Sequence, residues 1–210
     1  MTLAYELQGL RIPHQSRFSP RICRAIESGN YERAEYAALL DLLEPSDRVV
    51  ELGTGLGFVA ALLAQELGDD RVVTVEADPE MAEIIGDTFR ENSVNPRLVI
   101  GAVSAMGARR GLIRMENLWS TRTISALFSP TVPGVALASL IDEHQPTVLV
   151  VDIEGGESEL SPTALPGVRA VLIECHSDSA RRTVDRWLSS EGLHRRSVRG
   201  PKLFLYERDS

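Results

Sequence analysis

Short apolar runs alternate with longer segments of helical periodicity along most of this chain. The runs rich in Val, Ile and Leu predict five strands, at residues 48–52, 71–76, 97–103, 147–153 and 168–175. The periodic segments predict helices at 57–67, 79–92 and 178–191. Apolar strands that alternate with helices are typical of a mostly parallel sheet covered on both faces, so we predict an α/β fold.

The C-terminal end of the chain breaks this alternation. Two apolar stretches, 194–199 and 202–207, are separated only by Gly200 and Pro201. This connection is too short for a parallel crossover but long enough for a hairpin. We therefore predict that the sheet ends with an antiparallel strand.

Two other regions do not fit a simple alternation. Residues 18–44 are periodic and predict two helices broken at Gly29 and Asn30, which could fold over the first strand as a cap. Residues 104–134 contain a candidate strand at 111–115 and Trp119, an aromatic that could line an acceptor pocket. We expect an N-terminal helical cap over 1–45 and a main domain over 46–210, which together form a single structural unit.

Composition narrows the choice of partners and compartment. The chain has 210 residues with 30 acidic and 22 basic side chains, and its net charge of -8 offers no broad basic face for nucleic acid. Cys23 and Cys175 lie far apart without metal-site spacing, which favours a reducing cytoplasm. The apolar runs are too short to cross a bilayer and the N-terminus lacks a secretion signal, so we expect a cytoplasmic protein without membrane or nucleic-acid partners. A homodimer is compatible with these features.

The stretch VVELGTGLGF, residues 49–58, predicts a nucleotide site. Its strand ends near Glu51, and Gly53, Gly55 and Gly57 then let the backbone pass close to a ligand at the start of a helix. A dinucleotide fingerprint would place a small residue at position 58, where this chain has Phe58. Glu76, at the end of the second strand, lies where an acidic side chain accepts the ribose hydroxyls of an adenosine.

VVELGTGLGF and VVTVEADPE resemble motif I and the acidic second-strand motif of class I S-adenosylmethionine (SAM) methyltransferases. The strings GNYERAE, GAVS, VVDIEGGESEL and VLIECH resemble, in order, segments of the FkbM family. The resemblance implies a Rossmann-like, seven-stranded, mostly parallel sheet with an antiparallel last strand. It also implies O-methylation of a small molecule or sugar hydroxyl, with S-adenosylhomocysteine as product.

Cofactor contacts follow from these motifs. We expect Glu51 and the glycines to hold the methionine tail, Glu76 the ribose, and the backbone and apolar groups near Ala102 the adenine. The complete predicted set is Tyr31, Glu51, Gly53, Thr54, Gly55, Gly57, Phe58, Glu76, Ala77, Asp78, Ala102, Val103, Ser104 and Asp152. The chain departs from the FkbM pattern at Val150, where a lysine is common, and at Ile100–Gly101, where a polar residue is common.

Candidate catalytic groups lie at the ends of the fourth and fifth predicted strands. Asp152 and Glu154 would face the methionine moiety or the acceptor. His176 could act as the general base for a hydroxyl, with Glu174 orienting or replacing it. The carboxylates could also hold Mg²⁺, but because the sequence lacks a dense acidic loop we expect no metal.

The cap could also contribute to the site. Tyr31 and Glu35 share a helix face beside Glu32 and could close over the cofactor, although the same spacing suits a partly buried helix.

We expect a SAM-dependent methyltransferase with a small-molecule acceptor. The alternatives are a non-catalytic SAM-binding or interaction module and an NAD-dependent oxidoreductase, which Phe58 disfavours.

Overall fold

The computed structural model describes residues 4–114, 121–125 and 131–209. The helices are α1 (Pro20–Glu27), α2 (Arg33–Leu42), α3 (Phe58–Leu67), α4 (Ala82–Glu91), α5 (Leu137–His144) and α6 (Asp178–Ser190). The strands are β1 (Ala4–Leu7), β2 (Leu10–Pro13), β3 (Val49–Leu52), β4 (Val72–Glu76), β5 (Arg97–Ile100), β6 (Ala102–Ser104), β7 (Arg110–Arg114), β8 (Thr121–Ser125), β9 (Thr131–Val132), β10 (Gly134–Ala136), β11 (Val148–Val151), β12 (Ala170–Glu174), β13 (Leu193–Arg199) and β14 (Leu203–Arg208). Short 3₁₀ helices cover Asp69–Arg71, Pro79–Met81 and Glu157–Leu160.

A seven-stranded sheet in the order β13–β14–β12–β11–β3–β4–β5 forms the centre of the fold. The last strand, β14, runs antiparallel to both of its neighbours, whereas β12, β11, β3, β4 and β5 pair in parallel. The predicted Rossmann-like sheet with an antiparallel last strand is therefore confirmed.

Helices cover both faces of this sheet, which explains why its central strands are apolar throughout. Val50 and Leu52 of β3 pack with residues of α5 and α6, while Val49 belongs to the core shared with α3 and α4. Because both faces of β3 are buried, Glu51 lies in the interior although its side chain is ionisable.

The N-terminal region contains more than the two predicted helices. It begins with the hairpin β1–β2, whose turn places Gln8 and Gly9 at φ 52° and 84°. Leu10 and Ile12 of the hairpin are buried in the same core as α3 and α4. These strands are not predictable from the sequence, because four residues are too few to reveal a two-residue alternation.

The predicted strand 97–103 is wrong as a single element, because it divides at Gly101. Residues of β5 pair with β4, while β6 leaves the main sheet and pairs in parallel with β10. A Cβ at Gly101 would lie 2.6 Å from Val135 Cγ2, so glycine permits the close passage of the two segments.

Three further predictions can be compared with the structure. The extra strand predicted at 111–115 is confirmed over Arg110–Arg114, whereas residue 115 and Trp119 lie outside the described residues. The predicted helix 79–92 starts as a 3₁₀ turn over Pro79–Met81 before α4 begins. Helix α5 was not predicted, since two turns give little periodic signal.

The parallel strands all end at one edge of the sheet, where the loops after β3, β4, β11 and β12 meet. This carboxyl edge is where open α/β sheets bind their ligands. No helix within the described ranges is both long and apolar enough to cross a bilayer.

Candidate active site

Gly53 brings the ends of β3 and β11 into close contact. Its φ is +92°, and a Cβ at this position would lie only 1.9 Å from the carbonyl oxygen of Asp152. The backbone N–H of Asp152 donates to the carbonyl of Leu52 at 2.8 Å. Glycine at position 53 therefore fixes where Asp152 enters the site.

A cavity of about 270 Å³ opens at this edge of the sheet. Nine of the predicted site residues line it: Tyr31, Gly53, Gly55, Glu76, Ala77, Ala102, Val103, Asp152 and Glu154. Its volume is near the lower end of the range for ligand pockets, roughly 300–1,000 Å³. The loops after β3, β4, β5 and β11 thus bring the predicted groups to one cavity.

Glu76 is held rigidly in the cavity wall. Its Oε2 accepts from the N–H of Gly55 at 3.2 Å, and its Oε1 accepts from the N–H of Asp78 at 2.8 Å. Burial raises the pKa of Glu76, although these two amide bonds oppose the rise. Each carboxylate oxygen keeps a lone pair that can accept a hydroxyl from a ligand.

Glu51 lies deeper, behind the glycine loop. It accepts a short hydrogen bond from the Thr74 hydroxyl, which lies 2.5 Å from the Thr54 hydroxyl. Burial raises the pKa of Glu51 to about 8, with smaller contributions from the charges of Glu76 and Asp152. Thr54 therefore supports the loop through a buried chain of hydrogen bonds.

The remaining predicted cofactor residues have structural contacts. Gly57 faces Ile85 and Phe89 of α4, while the Phe58 ring is buried beside the rings of Tyr31 and Tyr36. The side chain of Asp78 accepts from the N–H of Glu80, and that of Ser104 accepts from the N–H of Ala108. These groups shape the loops that carry the cavity-lining residues.

His176 lies at the end of β12 beside a fully buried carboxylate, Glu157. His176 Nδ1 and Glu157 Oε1 form a short hydrogen bond, and Glu157 Oε1 also accepts from the backbone N–H groups of His176 and Gly155 at 3.3 and 3.2 Å. When Glu157 is ionised it accepts from Nδ1–H, which leaves Nε2 as the basic nitrogen. Glu157 therefore fixes both the tautomer and the orientation of the imidazole.

The free edge of His176 faces three carboxylates, which we call the acceptor carboxylates: Asp152, Glu154 and Glu174. His176 Nε2 lies 3.8 Å from Asp152 Oδ1, 3.4 Å from Glu154 Oε2 and 3.5 Å from Glu174 Oε1. The structure thus brings together all four predicted catalytic residues.

Charges in this group shift one another's titration. Burial raises the pKa of Asp152 to about 7, and the negative charge of Glu174 adds to the rise. Burial lowers the pKa of His176, but the bond to Glu157 and the surrounding carboxylates outweigh that effect and raise it above its usual value. The Asp152 carboxyl therefore exchanges its proton near pH 7, and the imidazole keeps its proton to a higher pH than an ordinary histidine does.

Atoms of Asp152, Glu174 and His176 also lie within 4.8 Å of one another, a spacing that a divalent cation could bridge. The mixture of one imidazole with two carboxylates suits transition metals better than Mg²⁺, which prefers an all-oxygen shell.

Sequence reasoning did not assign several groups that the structure places here. Glu157 could have been noticed as the last acid of DIEGGE, three residues after Glu154, but its burial could not be read from that spacing. Helix α1 contributes Arg21, Ile22 and Ala25 to the cavity. Glu32 lines it as well, and has a left-handed backbone with φ +50°. Arg21, Ile22 and Ala25 show no motif in the sequence, whereas Glu32 lies in GNYERAE, beside the predicted Tyr31.

The cavity residues fit the predicted cofactor. A carboxylate fixed at the end of β4 suits ribose hydroxyls, and the wall formed by Ala102, Val103 and Val75 suits a flat apolar ring. Glu51 and Asp152 lie beside the glycine loop, where a ligand with an ammonium group and a sulfonium would favour their ionised forms. The fold and this cavity together define a Rossmann-like, SAM-binding methyltransferase class.

Comparison with known proteins agrees with this class. Residues 2–107 match the family described as Protein-L-isoaspartate(D-aspartate) O-methyltransferase (PCMT), and the chain belongs to this family of class I SAM-dependent methyltransferases. A Protein-L-isoaspartate O-methyltransferase from Methanococcus aeolicus is 39% identical over 64 residues, which cover 30% of this chain and 29% of that protein. The chain spans about a third of the length of the curated relatives it matches.

Solved structures share the fold at low sequence identity. Precorrin-6y C5,15-methyltransferase from Geobacter metallireducens GS-15 has a TM-score of 0.53 and 11% identity, and the match covers 85% of this chain and 87% of that one. M. jannaschii TYW2, solved in complex with AdoMet (SAM), has a TM-score of 0.50 and 10% identity, covering 99% and 87%. These likenesses support the fold.

Proposed function

We propose that this chain transfers the methyl group of SAM to a hydroxyl oxygen of a small molecule or sugar, as FkbM-type enzymes do. The observation that carries the proposal is the pair formed by Glu157 and His176 at the edge of the cofactor cavity, with Nε2 turned towards the acceptor carboxylates. The strings that resemble the FkbM family here, VVDIEGGESEL and VLIECH, lie beyond the segment matched by the PCMT family.

The chain's own residues divide the work between binding and proton transfer. Glu76 would hold the ribose hydroxyls, and Glu51 and Asp152 would favour the positive charges of the cofactor. SAM supplies an electrophilic methyl group on its sulfonium. Displacement requires an acceptor oxygen in line with that methyl group, and proximity of this kind can provide much of the rate enhancement.

His176 would take the proton from the acceptor hydroxyl at Nε2 as the new C–O bond forms. Glu157 stabilises the resulting imidazolium through Nδ1 and keeps the ring in place. The proton then leaves through the half-exposed carboxylates around Nε2. This division of roles explains why a buried acid is retained behind the histidine.

Isotope transfer from SAM tests the proposal directly. Purified protein is incubated with methyl-labelled SAM and a metabolite extract, and labelled products are identified by mass spectrometry. We expect His176→Ala to reduce label transfer at least about 100-fold, within the range that general-base catalysis contributes. Asp152→Asn should reduce transfer and also weaken S-adenosylhomocysteine binding, measured by calorimetry.

Two outcomes would contradict the proposal. Full turnover of His176→Ala across pH would remove the histidine as base. Binding of NAD in the same calorimetry would favour the oxidoreductase, and binding of neither nucleotide would favour the non-catalytic alternative. Membership of a methyltransferase family argues against both alternatives.

A further inference from the structure

In the neutral state in which His176 can act as a base, the acceptor carboxylates and His176 converge with too few hydrogens between them. With Nδ1–H donated to Glu157, the neutral imidazole presents a lone pair at Nε2, and three carboxylate oxygens lie within 3.8 Å of it. Asp152 Oδ1 is buried and has no hydrogen-bond partner among the described residues. Like charges and lone pairs at this spacing repel unless a hydrogen-bond donor lies between them.

Among the described residues, the lysine or arginine ion pair of this group reaches only Glu174. Lys202 Nζ lies 3.7 Å from Glu174 Oε1, but the lysine side chain is half exposed and Glu174 is the acceptor carboxylate it approaches. Within the part of the chain that the structure describes, Asp152 and Glu154 form their ion pairs with His176. A ligand at Asp152 and Glu154 can supply the donors that the described residues do not.

From this arrangement we infer that the acceptor is a hydroxyl compound with a protonated amine close to the reacting hydroxyl, an inference that rests on the proposed function. The hydroxyl donates to Nε2 of His176. The ammonium group supplies three N–H donors and a positive charge to Asp152, Glu154 and Glu174. A neutral polyol would supply donors but leave the carboxylate charge uncompensated.

A substrate whose methyl-accepting group is itself a carboxylate would be disfavoured at this site. It brings no hydrogen and adds a negative charge beside the acceptor carboxylates, so it is repelled from the position that the methyl group reaches. Isoaspartyl groups, which the name of the matched family specifies, are such acceptors. The family match ends at residue 107, before Asp152, Glu154, Glu174 and His176. The acceptor side is thus carried by a part of the chain that the family match does not include.

Charge fractionation of the acceptor pool tests this inference. A metabolite extract is separated by ion exchange into cationic, neutral and anionic fractions, and each is incubated with the protein and methyl-labelled SAM in the presence of EDTA. An isoaspartyl peptide is a fourth substrate. We expect the cationic fraction to receive at least 10-fold more label than any of the others.

A matched pair of variants locates the effect. Glu154→Gln should raise KM for the labelled cationic acceptor at least 10-fold, a larger change than its effect on kcat, because it removes a charge that binds the amine. Glu143 is an exposed carboxylate on α5 that pairs with Arg97 of β5, so Glu143→Gln should change neither KM nor kcat.

The possible failures are distinguishable. Label in the neutral fraction, the anionic fraction or the isoaspartyl peptide overturns the amine inference and leaves methyl transfer intact. Label that appears only when Mn²⁺ or Mg²⁺ replaces EDTA overturns it too, because the carboxylates then hold a metal. No label in any fraction, with S-adenosylhomocysteine still bound, overturns the proposed function itself.

Discussion

Single carboxyl groups in this protein have environments that give them separate roles. Glu157 is fully buried against His176 and has no route to the acceptor except through the imidazole, whereas Glu154 is partly exposed and faces the open side. Glu157 is accordingly a positioning residue. Its effect should appear in the proton affinity of His176.

Glu157→Gln should shift the pH dependence of methyl transfer towards acid. His176 acts as base only when neutral, so activity rises as pH increases through its pKa, which lies above the usual value in the wild-type chain. Gln can still accept from Nδ1–H but carries no charge, so the midpoint should fall by roughly one pH unit. Glu154 and Asp152 stay in place, and their charges continue to raise the pKa of His176.

The measurement is kcat/KM across pH 5–9 for wild type, Glu157→Gln and the distant control Glu143→Gln. A uniform loss of activity with an unchanged midpoint would mean that Glu157 serves only the local fold.

Glu51 should make the unliganded protein less stable as pH rises. Its pKa in the fold, about 8, lies above the ordinary value of a glutamate in an unfolded chain. Its stabilising contribution is therefore complete below the unfolded pKa and is lost as pH rises towards 8. Glu51→Gln removes this titration and should increase the free energy of unfolding by about 1–3 kcal/mol near pH 7.5.

The same substitution should weaken S-adenosylhomocysteine binding about 10-fold, since one charge-assisted contact is worth about 1.4 kcal/mol or more. Denaturant unfolding at pH 5 and pH 8 and calorimetry at pH 7.5 give both quantities. Identical pH slopes for the two chains would contradict the buried, protonated state of Glu51.

At the scale of elements, long periodic segments were predictable from the sequence. Elements that depend on close contact between distant parts of the chain were not. The strands β3, β4, β11 and β12 and the helices α3 and α6 follow from apolar period, and β14 from the short connection at Gly200. The β1–β2 hairpin and the break at Gly101 depend on contacts with distant segments. The site follows the same rule. Glu76 is predictable from its motif, but the burial of Glu157 against His176 depends on tertiary contacts that the sequence does not reveal.

Gly53 joins two elements, and a side chain there should separate them. Gly53→Ala combines a left-handed φ with a collision against the Asp152 carbonyl, so we expect a loss of about 3 kcal/mol or more in unfolding free energy. Gly68 is a matched control, because its φ is +94° and nothing lies within 4 Å of a Cβ there.

Gly68→Ala should cost about 1 kcal/mol, the conformational part alone. Thermal and denaturant unfolding compare the two variants, and calorimetry with S-adenosylhomocysteine should show weakened binding only for Gly53→Ala. Equal losses in both would show that the approach of β3 to β11 tolerates a methyl group.

Across the whole molecule, the two edges of the sheet hold acidic groups whose pKa values are shifted in opposite directions. The carboxyl edge collects acids whose pKa values are raised, among them Glu51, Glu76 and Asp152. The amino edge holds Asp47, which is buried and accepts from Arg169 Nε at 2.9 Å and from the Thr147 hydroxyl at 2.7 Å. The carboxyl edge thus holds acidic groups that can bind a ligand. At the amino edge, Asp47 joins the starts of β3, β11 and β12.

Asp47→Asn should therefore destabilise the chain without changing cofactor affinity. Burial raises the pKa of Asp47, but hydrogen bonds from Arg169, the Glu44 backbone and Thr147 outweigh it and lower the pKa below its usual value. Its contribution is present above the unfolded pKa and is lost as pH falls through the folded one. We expect about 2–3 kcal/mol of lost unfolding free energy at pH 7, and a smaller difference from wild type below about pH 4.

Glu44→Gln is the matched control, because Glu44 also approaches Arg169, at 3.7 Å, but is well exposed and should contribute less than about 1 kcal/mol. Denaturant unfolding at pH 4 and 7, with S-adenosylhomocysteine calorimetry at pH 7, tests the division between the two edges. Affinity that falls together with stability in Asp47→Asn would mean that the edges are coupled through the strands. Unchanged affinity would leave the amino edge as the part of the sheet that stabilises the fold while the carboxyl edge keeps its crowded acids for binding.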